Sequence, residues 1–495
     1  MEKRIQNSDR ISNLPEPIKT HILSYLSTRD AARTSILSSS WRALWIQLPI
    51  FDFGRFNLNS LLDVDDMPSD DDDSTRMKRE SIVKEREEFY AFLDRTLGSI
   101  SKLEVLKLYI PQYELELKSR LDHWLDCVVG CRVRTLSLEI GGRNGPRYSL
   151  PKSVLSVNFI TTMNLKGCEL ISASLANTQL PSVTKLSLVN VYLDEGFMGS
   201  LAVSIPNLEA LAVKSCKGFT RLEVFGLTKL VKLDVGQNCD ELEVIVIDAP
   251  SLLNFIYVYE DVWKEVLQSS EIEFSDCKNL KFLKLVGSSL YDSELNTLLE
   301  DAPVLEKLFL YECHNLEDVS FSSQHLTCLE FERCRSLLTV QIDTPNLKIF
   351  HYADDELITF RGKCSFKLKK APVYLKADIK NDKWYARLVK FLSKLGNSEQ
   401  LSICVGLEEF TYEIPLKGVK KCGCWKTPAI ICWRHALEKV LLENQEGDED
   451  DTRLANFFTK GRIDEKMVSF VKSVKPKKKK TFHFVSSHWL FARIR

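Results

Sequence analysis

One pattern returns along most of this chain: an apolar residue, two variable positions, an apolar residue, one variable position, and a third apolar residue. It appears as Leu103/Leu106/Leu108, Val183/Leu186/Leu188, Leu280/Leu283/Leu285, Leu305/Leu308/Leu310 and Leu347/Phe350/Tyr352. The central positions fall at residues 106, 136, 163, 186, 211, 233, 255, 283, 308, 329 and 350, which is 21 to 30 residues apart, with a weaker copy around Leu401 and Ile403. A unit this short cannot close a core alone, so neighbouring units must stack and share one. Within a unit, the alternation of the last two apolar residues predicts a short strand with one face inward. Pro206, Pro250, Pro303 and Pro345 each precede a strand, where an extended approach is needed and a helix cannot continue. Residues 194–204 and 292–301 have room and spacing for a helix, whereas 220–250 predicts a turn or a brief strand.

This period is that of leucine-rich repeats. The expected fold is α/β: a curved solenoid with a parallel sheet on its concave face and mixed helices and turns on the convex one. Cys168, Cys216, Cys313 and Cys334 follow strands and read as small buried residues, not metal ligands. Residues flanking the inward leucines point to the concave face. They include Lys307, Phe309, Tyr311 and His351, with Lys284 and Glu330 nearby, and exposed aromatics beside charges are typical of binding hot spots. These six are the candidate substrate-binding residues. The alternative is that Phe309 packs against a neighbouring loop.

Residues 9–50 follow a different rule. Leu14, Ile18, Ile22, Leu23 and Leu26 have helical spacing, with Pro15 in the first turn and Asn13 as a candidate cap. A second helix is expected from Ser27 or Thr28, with Asp30 suited to its dipole. A third follows a cap among Ser38 to Ser40 and carries Trp41, Leu44, Trp45 and Leu48. Three short helices cannot bury all their apolar surface alone, so they either cap the repeats or meet a partner. The residue order resembles the plant F-box: Asp9-Arg10-Ile11-Ser12-Asn13-Leu14-Pro15, then Ile22-Leu23-Ser24-Tyr25-Leu26, then Trp41-Arg42-Ala43-Leu44-Trp45. The resemblance implies that Leu14, Pro15, Ile18, Ile22 and Leu23 face a Skp-family adaptor, with Leu26 and Trp41 in the same set and Trp41 also holding the third helix. Ser27-Thr28-Arg29 and Ser40 depart from the common pattern.

Asp63, Asp65, Asp66 and Asp70 to Asp73 predict an acidic linker, followed by a helix through Phe89, Phe92, Leu93 and Leu97. Such a break predicts that a chain beginning near residue 80 folds without the F-box. From Trp425, the residues Pro428, Cys432, Leu437, Glu446-Gly447-Asp448-Glu449 and Glu465-Lys466-Met467-Val468 resemble the FBD region of plant F-box/leucine-rich-repeat proteins. The expected organisation is an F-box over 1–50, linker and lead-in helix over 51–100, repeats over 101–405, and an FBD-like region with a basic run over 406–495. Cys422, Cys424, Cys432 and His435 lack the paired knuckles of common zinc sites. Lys475 and Lys477 to Lys480 read equally as a surface loop or nuclear targeting.

Charge is balanced, with 67 Lys+Arg against 68 Asp+Glu, which gives no overall bias toward nucleic acid or anionic membrane. No apolar run approaches the roughly 20 residues of a membrane-spanning helix. The 14 cysteines lack framework spacing and suit a reducing compartment, nucleus or cytoplasm. There is no phosphate loop, H-E-x-x-H pair or nucleophile elbow. Neither a catalytic centre nor a cofactor is expected. The resemblance implies a substrate receptor of an SCF-type ubiquitin ligase, reaching cullin and RING subunits through the adaptor and taking an unknown protein substrate. The alternatives are a binding scaffold or a small-ligand sensor.

Overall fold

The apolar triplets lie on strands that pair in parallel, with their leucines side by side. In the computed structural model, residues 13–54, 73–100, 102–142, 145–236, 241–259, 270–354, 356–362, 367–377, 382–395 and 398–407 are described, with residues 11 and 239 and the strands 440–444 and 468–472. Two compact units divide the chain at residues 249 and 250. In the first, Leu106, Leu136, Met163, Leu186, Leu211 and Leu233 are successive ladder partners. In the second, Phe255, Leu283, Leu308, Leu329 and Phe350 take the same role. All of these are buried, and each large apolar side chain taken from water contributes about 1.5–3 kcal/mol.

The first unit opens with α1 (Glu16–Ser24), α2 (Thr28–Arg33) and α3 (Ser39–Trp45). Ser27 caps α2 by accepting from the Asp30 amide at 3.1 Å, and Ser38 caps α3 through the Trp41 amide. Pro15, rather than Asn13, stands at the cap of α1 and offers no side-chain bond. The stretch read as the start of a linker instead begins with a strand, Ile50–Phe53, which pairs in parallel with Val105–Ile110. Helix α4 (Asp73–Leu97) also starts earlier than its apolar residues indicated. Trp45 stacks on Phe92 at 6.2 Å, and Phe53 meets Phe89 and Phe92 edge-on, so the F-box, the first repeat strand and α4 share one aromatic core. The acidic residues from Asp63 to Asp72 lie outside the described residues.

Helices α5 (Lys118–Gly130), α6 (Ser172–Leu175) and α7 (Phe197–Ser204) follow the strands of the longer units. The shorter unit returns through the strands Arg221–Val224 and Val244–Ile247, as its length implied. The second unit has α8 (Asp292–Asp301) and α9 (Asp382–Leu395), and the short strands Asp318–Ser322, Thr339–Asp343 and Thr359–Phe360. Its ladder continues past the ragged repeats: Val440–Asn444 pairs with Gln400–Leu407, and Val468–Lys472 pairs with Val440–Asn444. The FBD-like segment therefore extends the parallel sheet.

Several strands are followed at once by a residue with positive φ: Gly167, Ser215, Glu312 and Arg333. A buried cysteine follows each, and the Cys334 thiol donates to the Leu310 carbonyl at 3.3 Å. Cys168, Cys216, Cys313 and Cys334 are free thiols, and the described residues hold no metal-binding group of His, Cys, Asp and Glu. No described helix is long and apolar enough to cross a membrane. Cys422, Cys424, Cys432, His435 and the run Lys475 to Lys480 lie outside the described residues.

Candidate functional site

Helix α1 has two apolar stripes, and only one faces inward. Leu23 is fully buried, with Lys19 four residues earlier on the same side. The Lys19 ammonium donates to the Ser40 hydroxyl at 3.1 Å and lies 5.9 Å from the Trp41 ring centre, tying α1 to α3. The other stripe is left in water: Pro15 is exposed, Ile18 is 47% exposed, and Ile22 and Leu26 are each 37% exposed. Leu14 is half-buried.

Leu23 and Trp41 therefore do not belong to the offered surface. They pack inside the helical unit and support it. Residue type alone could not separate Leu23 from Ile22; the buried lysine at 19 hid the inward stripe. Ile11, Ile36 and Leu37 were not singled out, yet all three are exposed. Ile36 ends a 3₁₀ turn, where helical spacing no longer marks a face. These residues leave a large apolar area exposed within one short segment.

The concave face of the second unit brings the six candidate substrate-binding residues together. Lys284, Phe309, Glu330 and His351 are consecutive partners across four strands, and Lys307 and Tyr311 lie on either side of Phe309. Phe309 packs edge-on against Phe282 at 5.1 Å and stacks parallel to Tyr311 at 6.1 Å. Its contacts are ring neighbours on this face. The Lys284 ammonium sits 4.6 Å from the centre of the Tyr311 ring, within cation–π range.

Glu330 is the hub. Its side chain is 17% exposed, it accepts a hydrogen bond from the Tyr311 hydroxyl, and it lies 3.5 Å from His351 Nδ1. The Cys328 thiol adds a donor at 3.6 Å. Burial alone raises the Glu330 carboxyl pKa, but the hydrogen bonds from His351 and Tyr311 outweigh it and hold the group below the ordinary carboxylate value. Burial, then the Glu330 hydrogen bond, pushes the Tyr311 phenol well above its usual range. Burial and the Glu330 charge push the Cys328 thiol up to about 12. The face is thus a fixed set of rings over a satisfied carboxylate, suited to holding a partner.

A second concavity lies in the first unit. A cleft of about 1060 Å³ runs between the turn after α1 and the first concave strands, lined by Ser27, Thr28, Lys107, Ser137, Asn164 and Ser187 among others. Its charges are neutralised locally: Lys107 meets Asp52 at 2.8 Å and Lys166 meets Glu139 at 2.6 Å. The Asn164 amide donates to the Ser137 hydroxyl at 2.9 Å. No motif marks this cleft, because one wall is the F-box turn brought in by the strand Ile50–Phe53.

Comparison with known proteins finds two family domains in the chain. Residues 11–53 match the F-box domain. Residues 98–271 and 264–417 match the family described as At1g61320/AtMIF1, LRR domain. An FBD-associated F-box protein of Arabidopsis thaliana (At5g53635) is 28% identical over 261 residues, which is 51% of this chain and 54% of that protein. F-box/FBD/LRR-repeat protein At1g78750 of the same plant is 25% identical over 307 residues, 60% of this chain and 58% of that protein. F-box/LRR-repeat protein At3g59200 is 33% identical over 162 residues, 32% and 26% of the two chains. The chain spans about half the length of the first two of these relatives.

Proposed function

This chain belongs to the plant F-box/leucine-rich-repeat family, and from that premise we propose that it is the substrate-recognition subunit of an SCF-type ubiquitin ligase. The F-box docks on a Skp-family adaptor and through it joins cullin and RING subunits, and the repeats capture a target protein. The observation that carries this reading is the exposed stripe of Pro15, Ile18, Ile22 and Leu26, on helices whose interior is already closed by Leu23 and Trp41. Transfer of ubiquitin to lysine is then the work of a separate conjugating enzyme. This chain supplies proximity, raising the effective concentration of the substrate lysine. It acts in the nucleus or cytoplasm, where that machinery works.

Co-expression with a Skp-family adaptor tests the reading. Replacing Ile18 and Ile22 together by Asp should abolish co-purification while leaving the melting temperature nearly unchanged, since neither side chain is buried. The pair Leu14→Ala and Pro15→Ala should act in the same direction. Undiminished adaptor binding by the double Asp variant would sink the proposal. The cleft beside the F-box favours a second reading, a sensor in which a small polar ligand gates capture. Under it, Asn164→Leu should change substrate capture and leave adaptor binding intact.

A further inference from the structure

The concave face of the second unit is chemically lopsided. At the N-terminal ends of its strands stands a row of lysines. Lys307, Lys348, Lys369 and Lys370 are exposed and make no ion pair among the described residues, while Lys281 is paired with Glu306 at 2.9 Å. Backbone hydrogen bonds set two neighbouring pairs: the Lys369 amide donates to the Lys348 carbonyl at 2.7 Å, and the Lys307 amide donates to the Lys281 carbonyl at 2.9 Å. Lys307 and Lys370 share one rung of the ladder, with Cys328 and Ile349 between them. Phe282 lies beside Lys307 on the neighbouring strand, and Phe309, two residues beyond Lys307, touches both Phe282 and Tyr311. The carboxylate beside Phe309, Glu330, is engaged within the face by the Tyr311 hydroxyl and His351.

We infer that this face recognises an acidic polypeptide segment, whose carboxylates meet the lysine row while an apolar side chain rests on Phe309 and Tyr311. The inference rests on the proposed role of the repeats in capturing a protein, and narrows the class of protein captured. Unpaired lysines attract carboxylates along the whole row and set the approach of the partner. The ring cluster supplies the apolar anchor, and it is held in place before binding, which lowers the cost of ordering it. A single-stranded nucleic acid also takes lysines and rings, and an oligouridine probe is therefore set against the acidic peptide in the test.

Direct binding to the full-length chain is the test. Short fluorescent peptides share a central Trp and differ in their flanks, which are Glu, Gln or Lys. The Glu probe should bind about tenfold or more tighter than the Gln probe, equivalent to ~1.4 kcal/mol. That preference should fade as salt rises. Lys307→Glu with Lys370→Glu should erase it, and Phe309→Ala should weaken the Glu and Gln probes alike. Lys185→Glu, at the corresponding strand position of the first unit, should leave the preference intact. Equal binding of the Glu and Gln probes, or an unchanged preference in the double reversal, overturns the inference, as does tighter binding of an oligouridine probe. Adaptor co-purification with the double reversal separates the two readings. If it persists while the peptide preference fails, only this inference falls; if the unaltered chain binds no adaptor, the ligase reading falls.

Discussion

The two concave faces are built on one backbone plan and carry opposite chemistry. In the first unit the middle row of the sheet reads Lys107, Ser137, Asn164 and Ser187. In the second, the matching row reads Lys284, Phe309, Glu330 and His351. The first row is short and polar, with its charges matched to neighbours in water. The second is bulky, partly buried, and wired through one carboxylate. Because concave side chains stand outside the leucine core, the repeat constrains them only by direction. Recognition can therefore diverge between repeats while the core stays the same.

That comparison assumes the shared backbone is rigid, and Gly167 is the place to break it. Its φ is +72°, and a Cβ added there would lie 1.9 Å from the Ile140 carbonyl oxygen. Gly167→Ala should cost about 3 kcal/mol of stability, a value at the upper end for backbone strain and visible as a lower urea midpoint.

A smaller effect separates the two faces directly. Glu330→Ala strands the Tyr311 hydroxyl in a partly buried site and should cost about 1–3 kcal/mol in urea unfolding, while Asn164→Ala should be close to neutral. Equal costs would mean that both rows are packed alike, and the contrast would fail.

Acid titration sharpens the same point with a smaller expected effect. The Glu330 carboxyl sits below its ordinary value of 4.5 in the folded protein. A depressed folded pKa contributes stability that is fully present above the unfolded value and is lost as pH falls through the folded one. The gap in melting temperature between the native chain and Glu330→Gln should therefore hold steady from neutral pH down to about 4.5, then shrink on further acidification. A gap that widened there would reverse the sign and rule out Glu330 as a stabilising carboxylate. The smallest effect is expected at Lys166, whose pair with Glu139 is nearly half exposed on both sides. Lys166→Ala should change stability by less than about 0.5 kcal/mol.

The repeats were legible because the leucines report a buried ladder directly, and strand alternation fixed which residues share the concave face. Phe309, Glu330 and His351 could be placed on one side for that reason. Their bonding could not, since Tyr311 and Glu330 meet only through a register between strands that spacing alone does not give. The strand Ile50–Phe53 was missed because four residues after a proline carry no repeat of their own, and they become a strand by pairing with Val105–Ile110. Glu312 and Arg333 gave no hint of positive φ either, because nothing in a charged residue marks a turn that favours glycine.

The strand Ile50–Phe53 also bears on how a trapping reagent should be made. It covers the flank of Val105–Ile110, and Phe51 and Phe53 are fully buried against the rings around α4. A chain cut at residue 80 would shed that cover, leaving a bare row of amides and carbonyls beside Phe89 and Phe92. Such an edge templates further strands and invites aggregation. The F-box is thus the end-plate of the first repeats as well as the proposed docking surface. Under the proposed role, a trapping form of the chain is better obtained by altering Ile18 and Ile22 in place than by truncation, because the end-plate then stays on.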